Sequence, residues 1–167
     1  MGELISSSKG TRVRSVGGAN ANFPFTLVVT KHIFPRHLVL QCTVTNVGGG
    51  TGVDGSSNIS GISFVVAESS DEMLSQISVV KIRNLPQNTS SSCYCVLSKL
   101  DRVVDSNIVL TCEVRYSSGG VESIGRGDTA EGSDLFGGVA GEREVTLSHV
   151  EEVDDVVISR SDLTRRN

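Results

Sequence analysis

The sequence has no tryptophan and only seven aromatic residues among 167. Aromatic stacking therefore cannot build the core, which must come mostly from Val, Ile and Leu. Long apolar runs are missing too. No stretch approaches the roughly 18 apolar residues that a bilayer-crossing helix needs. The polar, Gly/Ser-rich start has no apolar segment of signal-peptide kind, so a cytoplasmic chain is expected. Basic charge is in deficit: 15 Lys and Arg face 19 Asp and Glu, for a net charge of −4. Residues 1–36 carry five basic groups and one acidic one, and residues 113–167 carry six basic and twelve acidic, which is not the clustered basic stripe with stacking aromatics that binds nucleic acid. Histidine is scarce, with only His32, His37 and His149. Their spacing matches no metal-ligand pattern. No G-x-S-x-G elbow, H-E-x-x-H or P-loop occurs. The carboxylate pairs Glu151-Glu152 and Asp154-Asp155 are consecutive, whereas glycosidase-type catalysis needs two acids facing each other across a cleft. No enzyme, cofactor or metal site is expected, and no catalytic residue is assigned.

What is present is alternation. In His37 to Asn46 (H-L-V-L-Q-C-T-V-T-N), Leu38, Leu40, Cys42 and Val44 fall on one face of an extended segment, and Gln41, Thr43 and Thr45 on the other. Asn107 to Tyr116 follows the same pattern with Ile108, Leu110, Cys112, Val114 and Tyr116 inward. Further strands are expected over Phe25 to Lys31, Asn58 to Glu68 (inner face Ile62, Phe64, Val66), Ile77 to Ile82, and Cys93 to Lys99. A last one is expected over Glu142 to Ser148, with Val145 and Leu147 inward. Pro35 separates the first two strands, and Arg83 to Asn88 reads as a turn fixed by Pro86. The expected fold is all-β: an immunoglobulin-like β-sandwich of about seven to eight antiparallel strands. After it, Ser148 and Glu151 form a capping-box pair, and Val150, Val153 and Val157 share a helical face. A short C-terminal helix and an extended exit are both open.

Two glycine-rich stretches interrupt this pattern. Val47 to Ser57 holds five glycines and Ser117 to Gly141 holds eight. The first contains a formal G-x-G-x-x-G at Gly50 to Gly55. A strand rather than a helix follows it, so it lacks the helix N-terminus that a dinucleotide phosphate requires. The second contains Arg126-Gly127-Asp128 and is expected to be partly mobile, with a hint of structure only at Val121 to Ile124. Residues 1–22 read as a flexible or weakly docked lead-in. The organisation expected is a lead-in over 1–22, the sandwich over 23–150 and an exit segment over 151–167. A domain of this length buries roughly two-thirds of its unfolded surface without staples.

Cys42 and Cys112 lie on the inner faces of two strands, 70 positions apart, like the bridging pair of an immunoglobulin domain. The tryptophan that packs on such a bridge is absent. Without an export signal, free core thiols are expected. Cys93-Tyr94-Cys95 has neither redox nor zinc-knuckle spacing.

Thr30-Lys31-His32-Ile33-Phe34, followed after two residues by His37-Leu38-Val39-Leu40-Gln41 and then Thr45-Asn46, resembles the start of the appendage (ear) domain of the coatomer γ subunit, a component of the COPI vesicle coat. The likeness continues through Asn58-Ile59, Leu85-Pro86, Cys93-Tyr94, Cys112, Glu144-Val145-Thr146 and Ser148-His149-Val150, covering about residues 25 to 150. The resemblance implies the N-terminal β-sandwich subdomain of a non-enzymatic module of COPI-mediated Golgi-to-ER and intra-Golgi transport. Such a module is cytoplasmic and peripheral on Golgi membranes and COPI vesicles, with membrane association only indirect, through the coat. The implied partners are other coatomer subunits and accessory proteins such as Arf GTPase-activating protein. In that family a platform subdomain follows the sandwich and carries the best-known partner groove, so no binding residue is carried over. Asn167 lies about where that platform would begin. The alternatives are a clathrin-type adaptor ear and a secreted immunoglobulin-like recognition domain using Arg126-Gly127-Asp128.

Overall fold

The computed structural model describes residues 2–16, 23–48, 59–72, 74–98, 107–123 and 142–163. Two antiparallel sheets face each other. The strands are β1 (Ser6–Ser7), β2 (Thr11–Val13), β3 (Phe25–Ile33), β4 (His37–Asn46), β5 (Ile59–Ser69), β6 (Gln76–Val80), β7 (Ile82–Leu85), β8 (Ser90–Ser98), β9 (Ile108–Ser123) and β10 (Glu142–Ile158), and a single helical turn, α1 (Arg160–Leu163), follows. The larger sheet runs β1-β3-β4-β8-β6, with β2 also on β3, and the smaller one runs β10-β9-β5-β7.

Alternation places the core between the sheets. From the larger sheet come Leu27, Val29, Leu38, Leu40, Cys42, Val44, Cys93, Cys95 and Leu97, and from the smaller Ile59, Ile62, Phe64, Leu110, Cys112 and Val114, all buried. Phe25 and Tyr116 close one end, their rings 4.9 Å apart and nearly perpendicular, the edge-to-face arrangement that aromatic quadrupoles favour. A β-bulge lies between Ser60 and Ser63. Gly61 within it sits at φ +63°, a conformation that a residue without Cβ adopts at no steric cost.

Several expectations change in detail. Residues 6–7 and 11–13 of the lead-in are docked: β1 and β2 both pair with β3. Ser15 then bridges to Val153 of β10, so the lead-in ties one sheet to the other. Ile77 to Ile82 is two strands, not one. β6 pairs with β8 in the larger sheet and β7 with β5 in the smaller, so the chain changes sheets at Lys81. As a result Arg83 to Leu85, expected in the turn, are strand, and the turn is confined to Pro86 to Thr89, where Asn88 takes φ 59°. The glycine-rich stretch after Tyr116 begins as strand, because β9 runs to Ser123; residues 124–141, with Arg126-Gly127-Asp128, lie outside the described residues, as do residues 49–58.

The helical reading of Val150, Val153 and Val157 is replaced by strand. β10 pairs with β9 along its length, with a bulge between Val153 and Val156. β-branched valines favour strand, and pairing satisfies the backbone of both strands together. The bulge also explains the misleading spacing. It shifts the alternation so that Val153, Val156 and Ile158 are buried while Val150 and Val157 are exposed. Leu147, expected inward, is 52% exposed. It lies opposite Ser118, where β5 ends at Ile59, so its side chain points to the core side but passes beyond the core.

A clasp joins β3 of the larger sheet to the end of β10 in the smaller. The Lys31 ammonium donates to the Val157 carbonyl at 3.0 Å and to the Asp162 carboxylate. Asp162 also accepts from the Ser159 N–H and hydroxyl, each at 2.9 Å. Burial alone would raise the Asp162 carboxyl, but these hydrogen bonds and the Lys31 charge hold it below the ordinary carboxylate value. A depressed pKa stabilises the fold fully above the unfolded value, near 4, and the contribution fades as pH falls through the lower folded value. Lys31→Met is therefore expected to cost about 1 kcal/mol at neutral pH. Urea unfolding should show the gap from the parent protein shrinking at about pH 2; an equal gap at both pH values would refute the clasp.

Candidate interaction surfaces

The cysteines, histidines and acidic residues that could carry chemistry occupy core and hydrogen-bonded positions. Cys42, Cys93, Cys95 and Cys112 are free and buried. Cys42 and Cys93 are cross-strand partners. The Cys42 thiol is pushed up by its hydrogen bond to Cys93 and by burial. Burial pushes Cys95 up to about 11 and Cys112 up to about 12. A protonated, buried thiol is a poor nucleophile and a poor metal ligand. The three histidines are separated. His32 bonds Ser7 at 2.7 Å and Gln41 at 2.8 Å, and His149 bonds Ser118 at 2.8 Å and stacks on Tyr116, with centroids 4.7 Å apart. His37 keeps a buried Nδ1 without a partner among the described residues. Among the described residues no group of three potential ligands could hold a metal. The acidic run is also dispersed. Val16 donates its N–H to the Glu152 carbonyl, and Asp154 exchanges hydrogen bonds with the Arg14 backbone, all within β10's contact with the lead-in.

The outer faces differ. On the larger sheet, Ser7, His32, Gln41, Ser92 and Thr43 are joined in a row by side-chain hydrogen bonds of 2.7 to 3.1 Å. Each bonded group has a partner already, so this row serves the sheet. The smaller sheet carries an open groove of about 320 Å³ whose apolar lining is Val65, Val79 and Val150. Lys81, Arg115 and His149 also line it, and no carboxylate does. Arg115 is held from the side by Glu113, at 3.0 and 3.1 Å. Tyr116 adjoins the groove, its phenol raised by burial and then by the Glu151 carboxylate.

Sequence reading named no partner-binding residue. Lys81 and Arg115 are 34 positions apart, and it is the sheet change at Lys81 and the Ser63–Arg115 register of β5 on β9 that bring them to one groove. Neither feature has a local sequence signal.

A family model described as the coatomer gamma subunit appendage platform subdomain matches residues 1–131. No curated protein matches the chain. The matched span holds β1 to β9, so the word platform in that description covers strands that here belong to the two-sheet sandwich.

Proposed function

The chain belongs to the coatomer gamma subunit appendage platform family, and from that membership we propose that it is a non-enzymatic COPI coat module acting in Golgi-to-ER and intra-Golgi transport. It works by protein–protein contacts with other coatomer subunits and with accessory proteins such as Arf GTPase-activating protein. It resides in the cytoplasm and reaches Golgi membranes and vesicles only through the coat. The sandwich reaches past the boundaries expected at residues 23 and 150: β1 and β2 of the lead-in pair with β3, and β10 stays paired with β9 to Ile158. The single observation that carries the reading is the family match across residues 1–131. The buried thiols and dispersed carboxylates agree with a contact role.

Binding of the purified chain to purified coatomer subunits and Arf GTPase-activating protein, alongside clathrin-adaptor accessory proteins, tests the proposal. Retention of the COPI set alone is expected. Retention of the clathrin set alone would replace the reading with a clathrin-type adaptor ear.

A further inference from the structure

We propose that the free edge of β6 and the groove beside it dock an extended acidic peptide from a partner protein, added as a further strand to the larger sheet. The inference rests on the reading of the chain as a protein-binding coat module and names the surface that such binding uses.

The sandwich has four lateral edges, and three are protected in the ways that edge strands usually are. At one side of the larger sheet, β1 is two residues long and β2 carries Arg12. In the smaller sheet, β7 is four residues long and carries Arg83, and β10 bears a run of charges and a bulge. The least protected is β6, Gln76-Ile77-Ser78-Val79-Val80, with no charge and no proline, its bulge confined to its start between Gln76 and Ser78 while Ser78 to Val80 pair in regular register with β8. One side of it pairs with β8, and among the described residues no strand pairs with the other. Ile77 and Val80 are 55% and 52% exposed. An unpaired row of backbone donors and acceptors flanked by exposed apolar side chains is what β-strand addition uses. Main-chain bonds supply the affinity and alternate side chains the specificity.

The charge of the occupant follows from the groove at the end of β6. Val79 and Lys81 line it together with Arg115, His149 and Val150. A chain with net charge −4 thus presents two fixed cations and a histidine here, with no carboxylate in the lining. Glu113 engages Arg115 from the side and leaves Lys81 free of any ion pair among the described residues. A segment alternating acidic and apolar residues suits both parts of the surface, its apolar side chains beside Ile77 and Val80 along β6 and its acids at the Lys81 end of the groove. Complementary charge also favours encounter and selects against basic segments.

The probe is a fluorescein-labelled peptide of roughly eight residues alternating glutamate with valine, long enough to span a five-residue edge. Anisotropy with the full chain at low salt is expected to show saturable binding that weakens about tenfold in Lys81→Glu and fades with added salt. A peptide with lysine in place of glutamate, and one with proline in place of alternate valines, are expected not to bind. In ¹⁵N-labelled protein, amide shifts should concentrate on Gln76 to Lys81. Lys81 is an exposed residue, so thermal melts of the variant should match the parent.

The docking site is overturned by absent binding, by unchanged affinity in Lys81→Glu, or by shifts centred on β10 or β1. It is also overturned by a concentration-dependent dimer that occupies β6 and resists the peptide, since the edge then belongs to a second copy. Failure here with COPI partners still retained leaves the coat reading intact. Peptide binding at β6 with no COPI partner retained removes the coat reading and leaves the docking site.

Discussion

Phe64→Ala is expected to cost about 3–5 kcal/mol, because it deletes the largest fully buried side chain and the surrounding strands close only part of the space. Phe64 lies on the inner face of β5, opposite Val114 of β9. Its backbone lies close enough to Cys93 to influence that thiol from the facing sheet. Val114 and Cys93 are each held by strand pairing of their own, so collapse of either into the gap would have to strain a ladder. Domains of this kind have total stabilities of about 5–15 kcal/mol, so the variant stands near the limit of folding at 37 °C. Phe64→Leu, which keeps most of the volume, should cost about 1.5 kcal/mol or less. Ile77→Ala on the exposed β6 edge should stay within about 0.5 kcal/mol. Urea unfolding of the three variants measures the ordering. A Phe64→Ala midpoint close to that of Ile77→Ala would mean that the two sheets do not pack face to face through this residue.

That contrast marks what alternation in the sequence conveyed. β4 was legible from His37 to Asn46 to the residue, because its apolar face is unbroken and Pro35 stops the preceding strand. The inner faces of β5 and β9 were legible for the same reason, with Cys42 and Cys112 correctly placed as core thiols. β10 was ambiguous, since its bulge converts a period of two into the spacing Val150, Val153, Val157, which imitates a helix. The division of Ile77 to Leu85 into β6 and β7 left no trace, because no Gly or Pro marks the change of sheet at Lys81 and the polar Arg83-Asn84 before Pro86 read as turn. Docking of the lead-in was hidden for a different reason. β1 and β2 gain their hydrogen bonds from β3, and of their own side chains only Val13 is buried. The groove depends on register between distant strands, so only the family likeness carried function, and it named no residue.

Asn46→Asp is expected to be more damaging than a one-atom change suggests. Asn46 is 1% exposed at the end of β4, and its hydrogen-bonding groups are all engaged. Its side-chain NH₂ donates to the Leu85 carbonyl at 3.0 Å, and its side-chain oxygen accepts from the Gly48 N–H at 3.1 Å. Its backbone N–H donates to the Thr89 carbonyl at 3.0 Å, and its carbonyl accepts from the Asn88 N–H at 2.7 Å. One side chain therefore joins the larger sheet to β7 of the smaller one, at the turn where Asn88 takes a positive φ. An aspartate keeps the acceptor for Gly48 but loses the donor, and it sets a buried negative charge against the Leu85 carbonyl. The loss of the donor leaves a buried carbonyl unpaired, worth about 1–3 kcal/mol. Desolvation of the charge adds to it, for an expected total of about 3–5 kcal/mol at pH 7. Burial and the facing carbonyl would raise this carboxyl above its unfolded value. The variant should accordingly regain stability on acidification, as protonation restores an O–H donor toward Leu85, while Asn46→Ala, at about 2–3 kcal/mol, should show no such recovery. Urea unfolding of both variants against the parent protein between about pH 7 and pH 4 decides it. Parallel pH profiles for the two would show that Asn46 fills space at the turn without joining the sheets.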